Sequence, residues 1–208
     1  MQAGDERTDH WEGAYADGDA SRSWYQPHAT VSMNLLTRAA VPPATAIVDV
    51  GGGASTLVDD LLEANFTDVT VLDVAPSALT LARTRLGPDL AARVNWIVDD
   101  IETWQPVRSY GVWHDRAVLH FMVDRHQQAG YRRALLRATA VDSLVIIAVF
   151  GPQGPERCSG LTVVRYDGEA LSTFLGDEFE VMQTGEVPHR TPGGSEQEFL
   201  WMMARRTS

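Results

Sequence analysis

Short apolar runs alternate with amphipathic stretches through the middle of the chain. The apolar runs predict five strands, the last of them apolar throughout, as expected for a central parallel strand. Those strands cover residues 47–50, 69–72, 94–98, 110–114 and 144–150. Apolar residues at helical spacing predict helices over 29–40, from 57 onward, from 76 to 86 and from 124 to 138. This alternation predicts one doubly wound α/β domain with a mostly parallel sheet.

The two ends of the chain break this alternation. Residues 1–9 are polar and are predicted to be disordered, whereas four large aromatics follow closely: Trp11, Tyr15, Trp24 and Tyr25. We expect residues 1–40 to form a cap that either plugs the sheet or covers a ligand pocket, and residues 41–208 to form the main domain. Near the other end, residues 179–183 and 199–203 predict two closing strands without a helix between them. An antiparallel closing strand then completes a seven-stranded sheet.

Acidic residues follow the predicted strands. Asp49, Asp73, Asp100 with its neighbour Asp99, and Asp115 all stand at strand ends, and Gly51-Gly52-Gly53 follows the first strand. Parallel strands place their carboxyl ends at one edge of the sheet, where such folds bind ligands. Glycines allow a tight turn and close approach to the backbone, and an acid after the second strand can accept hydrogen bonds from ribose hydroxyls. The pattern indicates a nucleoside-containing cofactor with a cationic end.

Composition and charge exclude several function classes. The sequence has 28 acidic and 17 basic residues, a net charge of −11, which argues against nucleic-acid and membrane partners. The single cysteine, the polar start and the absence of any apolar run near the ~20 residues of a membrane span favour a cytoplasmic protein. The histidines lack metal-ligand spacing, so we expect no metal. Thr56 stands where a dinucleotide fold would place glycine, which disfavours a nicotinamide oxidoreductase.

Three motifs carry a family resemblance. VDVGGGAS at 48–55, VLDVAPSAL at 71–79 and IVDDI at 97–101 resemble the class I S-adenosylmethionine-dependent methyltransferases. Further stretches, including WHDRAVLHF and HRTPGG, resemble a bacterial group of small methyltransferases, and the opening HW…Y is similar to protein-lysine methyltransferases that act on elongation factors.

The resemblance implies S-adenosylmethionine as the cofactor and a role for each matching residue. It implies that the methionine part is surrounded by residues at the glycine turn: Asp49, Gly51, Gly53 and Ser55. It implies that Asp73 binds the ribose and that Asp99 or Asp100 binds the adenine amino group, with Ile101 against the ring. It also implies that the sulfonium lies beside residues at the end of the fourth strand: His114, Asp115 and Arg116. We also expect Trp24 to contact the cofactor.

These expectations lead to a methyltransferase that acts by in-line displacement on a small-molecule nucleophile. Asp115, Arg116 and His120 are the candidate catalytic residues, with His28 as a further candidate base and Arg116 as a group able to hold an anionic acceptor. A protein-lysine methyltransferase is the alternative, because an acidic rim would attract a basic peptide. A catalytically silent cofactor-binding domain is the third hypothesis. We expect a monomer or a weak homodimer.

Overall fold

The computed structural model describes residues 3–15 and 22–208, with side chains from Arg7 onward. The helices are α1 Ala3–Ala14, α2 Thr30–Arg38, α3 Leu57–Glu63, α4 Pro76–Ala91, α5 Arg125–Ala138 and α6 Gly168–Leu175. The strands are β1 Ile47–Val50, β2 Val69–Asp73, β3 Val94–Val98, β4 Tyr110–Arg116, β5 Thr139–Phe150, β6 Arg157–Cys158, β7 Leu161–Thr162, β8 Phe179–Arg190 and β9 Glu196–Arg206. Within the described ranges, no helix combines the length and hydropathy that crossing a bilayer requires.

Seven of these strands form one sheet in the order β3-β2-β1-β4-β5-β9-β8. The strands from β3 to β5 in this order are parallel, and β9 runs antiparallel to both β5 and β8. The predicted single α/β domain with a mostly parallel seven-stranded sheet is therefore confirmed. The sheet order reverses between β1 and β4, and this is where open α/β sheets form a ligand crevice.

Helices cover both faces of the sheet, as a parallel sheet requires. On one face, Trp113 and Ile147 belong to a core that also contains buried residues of α5 and α6. On the other face, Val112 and Ile146 pack with buried residues of α2, α3 and α4. Successive strand residues point to opposite faces, so Trp113 and Val112 enter different cores. The same alternation decides where each polar residue of β4 points.

The amino-terminal region differs from the sequence prediction. Residues 3–9, predicted to be disordered, form most of α1. This helix has no strong apolar stripe, and its visible support comes from contacts with the main domain, including Arg7 with Asp100 and the Glu12 carboxylate with the backbone N–H of Ser77. Because these contacts are tertiary, a local sequence pattern does not reveal them. The cap assignment of residues 1–40 stays a prediction, although Leu35 of α2 is buried in the main core.

Several other boundaries also differ, including the start of β5, which lies at Thr139 and not at 144. Helix α4 continues past Gly87. The φ of +73° at Gly87 makes a kink, and a second helical piece begins at Pro88. Strands β8 and β9 extend well beyond the predicted 179–183 and 199–203, because polar residues continue the antiparallel pairing as far as Arg190 and Glu196. The connection between the two strands is therefore only residues 191–195.

The start of α5 provides a test of local folding. The Asp124 carboxylate accepts hydrogen bonds from the N–H groups of His126 and Gln127, and the Gln127 side chain accepts one from the Asp124 N–H. We predict that Asp124→Ala lowers the free energy of unfolding by about 1 kcal/mol, because this capping box is lost. Urea denaturation measures the change, and Asp124→Asn, which keeps a capping acceptor, is the control. Equal losses in both variants would contradict the capping role.

Candidate active site

A cleft lies at the carboxyl edge of the parallel strands. It consists of a large cavity of about 440 Å³ and a small cavity of about 50 Å³. Tyr15, Trp24, Gly51 and Arg116 line both cavities, so the two are parts of one cleft. The large cavity also contacts the ends of β2 and β3, whereas the small cavity contacts the glycine turn after β1.

The glycine turn is packed too closely to accept side chains. Gly51 has a φ of +61°, and a Cβ atom there would lie 2.0 Å from the Val118 Cγ2 atom. Gly53 has a φ of +44°, and its Cβ atom would lie 2.8 Å from Asp73 Oδ2 and 2.9 Å from the Tyr15 hydroxyl. Glycine is therefore required at both positions by backbone conformation and by space. The turn exposes main chain, not side chains, to a ligand.

Asp49 is oriented by a buried hydrogen-bonded chain. The His114 Nδ1–H donates to Asp49 Oδ1 at 2.7 Å, and the Ser32 hydroxyl bonds to His114 Nε2 at 2.8 Å. All three side chains are buried, and Asp49 Oδ2 has no hydrogen-bond partner in the described part of the chain. A buried carboxylate oxygen without a partner is costly, so this atom fits a donor supplied by a ligand. His114 also lines the small cavity, and its hydrogen bond orients the Asp49 carboxylate.

Asp73 lies at the end of β2, between Gly53 and the large cavity. Its Oδ1 accepts a hydrogen bond from the Ala75 N–H at 2.8 Å. Burial raises the pKa of this carboxyl to about 7, and the negative charge of Asp49 adds to the shift while the backbone hydrogen bonds oppose it. A ligand that donates hydroxyl hydrogens to Asp73 would favour the ionised form.

The acids after β3 also line the large cavity, together with Ile101. Asp99 Oδ1 accepts a hydrogen bond from the Asp100 N–H at 2.8 Å. The Asp100 carboxylate is paired with Arg7 at 3.1 Å, and Arg7 also bonds to Glu102. Of the two predicted adenine partners, Asp100 is therefore engaged with α1. The predicted residue Ser55 lines the small cavity but is exposed, and its hydroxyl accepts a hydrogen bond from the Leu57 N–H.

Asp115 does not line either cavity, although the sequence made it a candidate catalytic residue. Its side chain is fully buried and accepts hydrogen bonds from the N–H groups of Val118 and Leu119 and from the Tyr131 hydroxyl. Burial raises the pKa of Asp115 to about 6, against the effect of these hydrogen bonds. Strand alternation turns its side chain toward the α5 face, so we assign it to holding the turn after β4. That correction could have been read from the period of two in β4.

Arg116 lines both cavities, in agreement with its predicted position in the site. Its Nη1 donates to the Trp24 carbonyl at 2.9 Å, and its guanidinium carbon lies 4.6 Å from the centre of the Phe199 ring. Burial lowers the pKa of Arg116 to about 10, while electrostatic interactions with the Cys158 sulfur and the Asp49 carboxylate oppose the shift. The side chain remains a cation at neutral pH.

His120 is also outside the cleft, which corrects its candidacy as a base. It is fully buried, its ring lies 4.5 Å from that of Phe150, and its Nδ1 accepts the Phe150 N–H. Burial and the charge of Arg116 lower the pKa of His120 to about 3, so the ring is neutral. His28 lies on the surface, where it pairs with Asp60 at 2.8 Å. Neither histidine is placed to reach a ligand in the cleft.

The amino-terminal aromatics form a roof over the large cavity. The Trp11 ring lies 5.0 Å from Phe121 and 5.9 Å from Trp24, and the Tyr15 ring lies 6.2 Å from Trp24. Phe121, Val118 and Arg7 line the cavity although sequence reasoning did not select them. No sequence signal marked Arg7, whereas Val118 and Phe121 follow directly after a strand end.

Known proteins with a similar fold and sequence are methyltransferases. Residues 47–140 match the family model described as a methyltransferase domain. This stretch of the chain, residues 47–140, is a methyltransferase domain. The predicted family, enzyme class and cofactor, S-adenosylmethionine, are confirmed for this domain. The match begins at the first residue of β1 and ends at the start of β5, so it includes the glycine turn and the acids of the cleft.

Two solved structures illustrate the shared fold. An S-adenosylmethionine-dependent methyltransferase from Anabaena variabilis has a TM-score of 0.77 and 14% identity, with coverage of 99% of this chain and 96% of that chain. A 1,6-didemethyltoxoflavin-N1-methyltransferase from Burkholderia thailandensis has a TM-score of 0.73 and 20% identity, with coverage of 100% and 92%. In sequence, the chain is 26% identical to mouse EEF1A lysine methyltransferase 2 over 44% of its own length. This match spans 41% of the mouse protein.

The residues of the cleft fit S-adenosylmethionine. The buried, unpartnered Asp49 Oδ2 suits an ammonium group, and the close-packed glycine turn leaves backbone exposed beside it. Asp73 suits ribose hydroxyls, and Ile101 lines the same large cavity as Asp99. The individual contacts remain predictions. Among residues 3–15 and 22–208, no cluster of three or more histidine, cysteine or acidic side chains is arranged to hold a metal.

Asp73 allows the cofactor assignment to be tested. We predict that Asp73→Ala weakens S-adenosylhomocysteine binding by about tenfold or more, because hydrogen bonds to a buried carboxylate are lost. Isothermal titration calorimetry measures the dissociation constant. Asp68→Asn, at the opposite edge of the sheet, is the control. An unchanged dissociation constant in Asp73→Ala would remove Asp73 from the cofactor site.

The raised pKa of Asp73 predicts a pH dependence. The ionised form accepts hydroxyl hydrogens best, so we expect wild-type affinity for S-adenosylhomocysteine to rise as the pH increases through about 7. Asp73→Asn should flatten this dependence.

Because its pKa in the folded state lies above the unfolded value, Asp73 favours the fold most at low pH, and that contribution is lost as the pH rises through about 7. Thermal unfolding of Asp73→Asn across this range should therefore show a weaker loss of stability than wild type.

Proposed function

We propose that this protein transfers the methyl group of S-adenosylmethionine to a small-molecule nucleophile. The observation that carries the proposal is the roof of the cleft. Helix α1 and the segment containing Trp24 cover the carboxyl edge, where a protein substrate would otherwise approach. The large cavity of about 440 Å³ falls within the range of roughly 300–1,000 Å³ typical of small-molecule sites, and part of this volume would hold the cofactor, because Asp73 and Asp99 line the same cavity.

Contacts from three sides support the roof. Arg7 of α1 pairs with Asp100 after β3, and Glu12 accepts a hydrogen bond from the Ser77 N–H at the start of α4. Trp11 packs on Phe121 of the turn after β4. Such a roof would exclude water and hold the acceptor in one orientation, and positioning of this kind accounts for a large part of the rate of bimolecular reactions in enzymes.

The chain's own residues would act mainly by binding and orientation. When bound, S-adenosylmethionine supplies an electrophilic methyl group on a sulfonium. Asp49, held by His114, would accept hydrogen bonds from the ammonium of the methionine part, and Asp73 would accept those of the ribose. With Asp115 and His120 outside the cavities, no described carboxylate or histidine after β4 is placed as a base. The described histidines that line the cavities are instead His10 of α1 and His114 of β4.

A protein-lysine substrate remains the second candidate. The similarity to the mouse lysine methyltransferase and the net charge of −11, which would attract a basic peptide, favour it. The Burkholderia methyltransferase structure, in contrast, contains a bound small molecule, 1,6-didemethyltoxoflavin. The roof over the cleft leads us to prefer a small acceptor, because a peptide would require α1 to move away.

Labelled cofactor distinguishes the two candidates. We predict that incubation with radiolabelled S-adenosylmethionine and cell extract places the label in the small-molecule fraction. Heat-inactivated protein and Asp73→Ala are the controls for transfer by this domain. Label confined to the protein fraction would overturn the small-molecule proposal, and label in neither fraction would favour the silent cofactor-binding domain.

Deleting residues 1–28 tests the role of the roof. We predict that this variant keeps the cooperative unfolding of the main domain, because the sheet and its helices lie outside the deleted segment. Turnover of the labelled small-molecule fraction should fall by about a hundredfold or more, since the acceptor is no longer shielded and oriented. Circular dichroism on heating and the label assay report the two effects. Parallel loss of folding and turnover would show that the segment is part of the core.

A further inference from the structure

The two arginines lining the large cavity have opposite surroundings. Arg7 is paired with Asp100 and Glu102. Arg116, in contrast, makes no ion pair with any acid in the described part of the chain, and its one hydrogen bond is from Nη1 to the Trp24 carbonyl. Its Nη2 is shielded from solvent and has no hydrogen-bond partner among the described residues. The protein thus places at the cleft an arginine that is not paired with any described acid.

This arrangement is costly unless a ligand completes it. A partly buried cation without a paired acid loses hydration that the protein does not fully replace, and this desolvation is the main cause of the lowered pKa of Arg116. A guanidinium presents its donors in a planar fork that matches a carboxylate, and such charge-assisted pairs are stronger than neutral ones. A bound carboxylate would therefore supply the missing partner.

Apolar side chains line the large cavity together with Arg116. They include the aromatic residues Trp11, Trp24 and Phe121, and also Leu161 and Met122. The guanidinium itself lies over the Phe199 ring. Aromatic rings pack well against other flat rings. The cavity therefore combines one arginine that lacks an acidic partner among the described residues with a partly aromatic, apolar lining.

We infer that the methyl acceptor is an aromatic molecule that carries a carboxylate, and that Arg116 binds this carboxylate. The inference rests on the proposed function and specifies the acceptor's chemical class. Arg116 also lines the small cavity, so the carboxylate of the cofactor itself is the competing partner. Trp24 contributes to the same site in two ways. Its carbonyl oxygen accepts a hydrogen bond from the Arg116 guanidinium, and the residue also lines the large cavity.

Matched acids and amides test the inference on the protein loaded with S-adenosylhomocysteine. Calorimetric titrations use benzoate with benzamide, indole-3-acetate with indole-3-acetamide, and quinoline-2-carboxylate with its amide. We expect at least one acid to bind about tenfold or more tightly than its amide. Arg116→Gln should remove this preference, and Arg116→Lys should restore part of it. Arg108→Gln, which alters a surface ion pair with Asp68, is the control and should keep the preference.

Other outcomes overturn the inference in distinguishable ways. If no acid binds the loaded wild-type protein better than its amide, the acceptor is not of this class. If Arg116→Gln instead weakens S-adenosylhomocysteine but not 5′-methylthioadenosine, which lacks the amino-acid part, Arg116 binds the cofactor carboxylate. Failure of wild-type protein to bind S-adenosylhomocysteine would refute the proposed function itself. Thermal unfolding of Arg116→Gln and Arg116→Lys verifies that both variants are folded.

Discussion

The close contact between two turns determines the geometry of the cleft. The turn after β1 passes so near the turn after β4 that a single added carbon at Gly51 would overlap Val118. Asp115 fixes the second turn by accepting the N–H groups of Val118 and Leu119, and Tyr131 of α5 fixes Asp115. The backbone that would surround the cofactor is thus held in place by Asp115 and Tyr131, on the α5 face of the sheet. The buried Asp115 carboxylate therefore determines the shape of the cofactor site although it does not line the cavities.

Acidic and basic side chains line the same cleft. Asp49 lines the small cavity, and Asp73 and Asp99 line the large cavity, where they suit ammonium, hydroxyl and amino groups. Arg116 stands where the two cavities meet, without an acidic partner among the described residues. The domain therefore offers acceptors of hydrogen bonds to the cofactor and a donor to another ligand. This distribution links the proposed cofactor contacts to the inferred acidic acceptor.

The sequence predicted the sheet well because its strands are apolar runs that end in acids. Strands β1 and β3 were predicted at their observed bounds, and the acids of the cleft were selected by their position at strand ends. Side-chain direction was harder to predict. His114, Asp115 and Arg116 are consecutive, yet they face Asp49, the turn and the cavities respectively. Only the alternation of the strand, together with the buried Trp113, contains that information.

Helix α1 could not be predicted from local pattern, since contacts such as Arg7 with Asp100 join residues far apart in the chain. Strands β8 and β9 were predicted too short for a similar reason, because polar edge residues are held by pairing across the hairpin. Ser32 gave no signal of its own, and its role depends on the position of His114. In each case the missing information is a tertiary partner.

The central claim is that the carboxyl edge of this sheet is a cleft for S-adenosylmethionine. Calorimetric titration of the wild-type protein with S-adenosylhomocysteine, and separately with NADH, tests it most directly. The account predicts saturable binding of one S-adenosylhomocysteine per chain and no binding of NADH. Binding of NADH without binding of S-adenosylhomocysteine would contradict it.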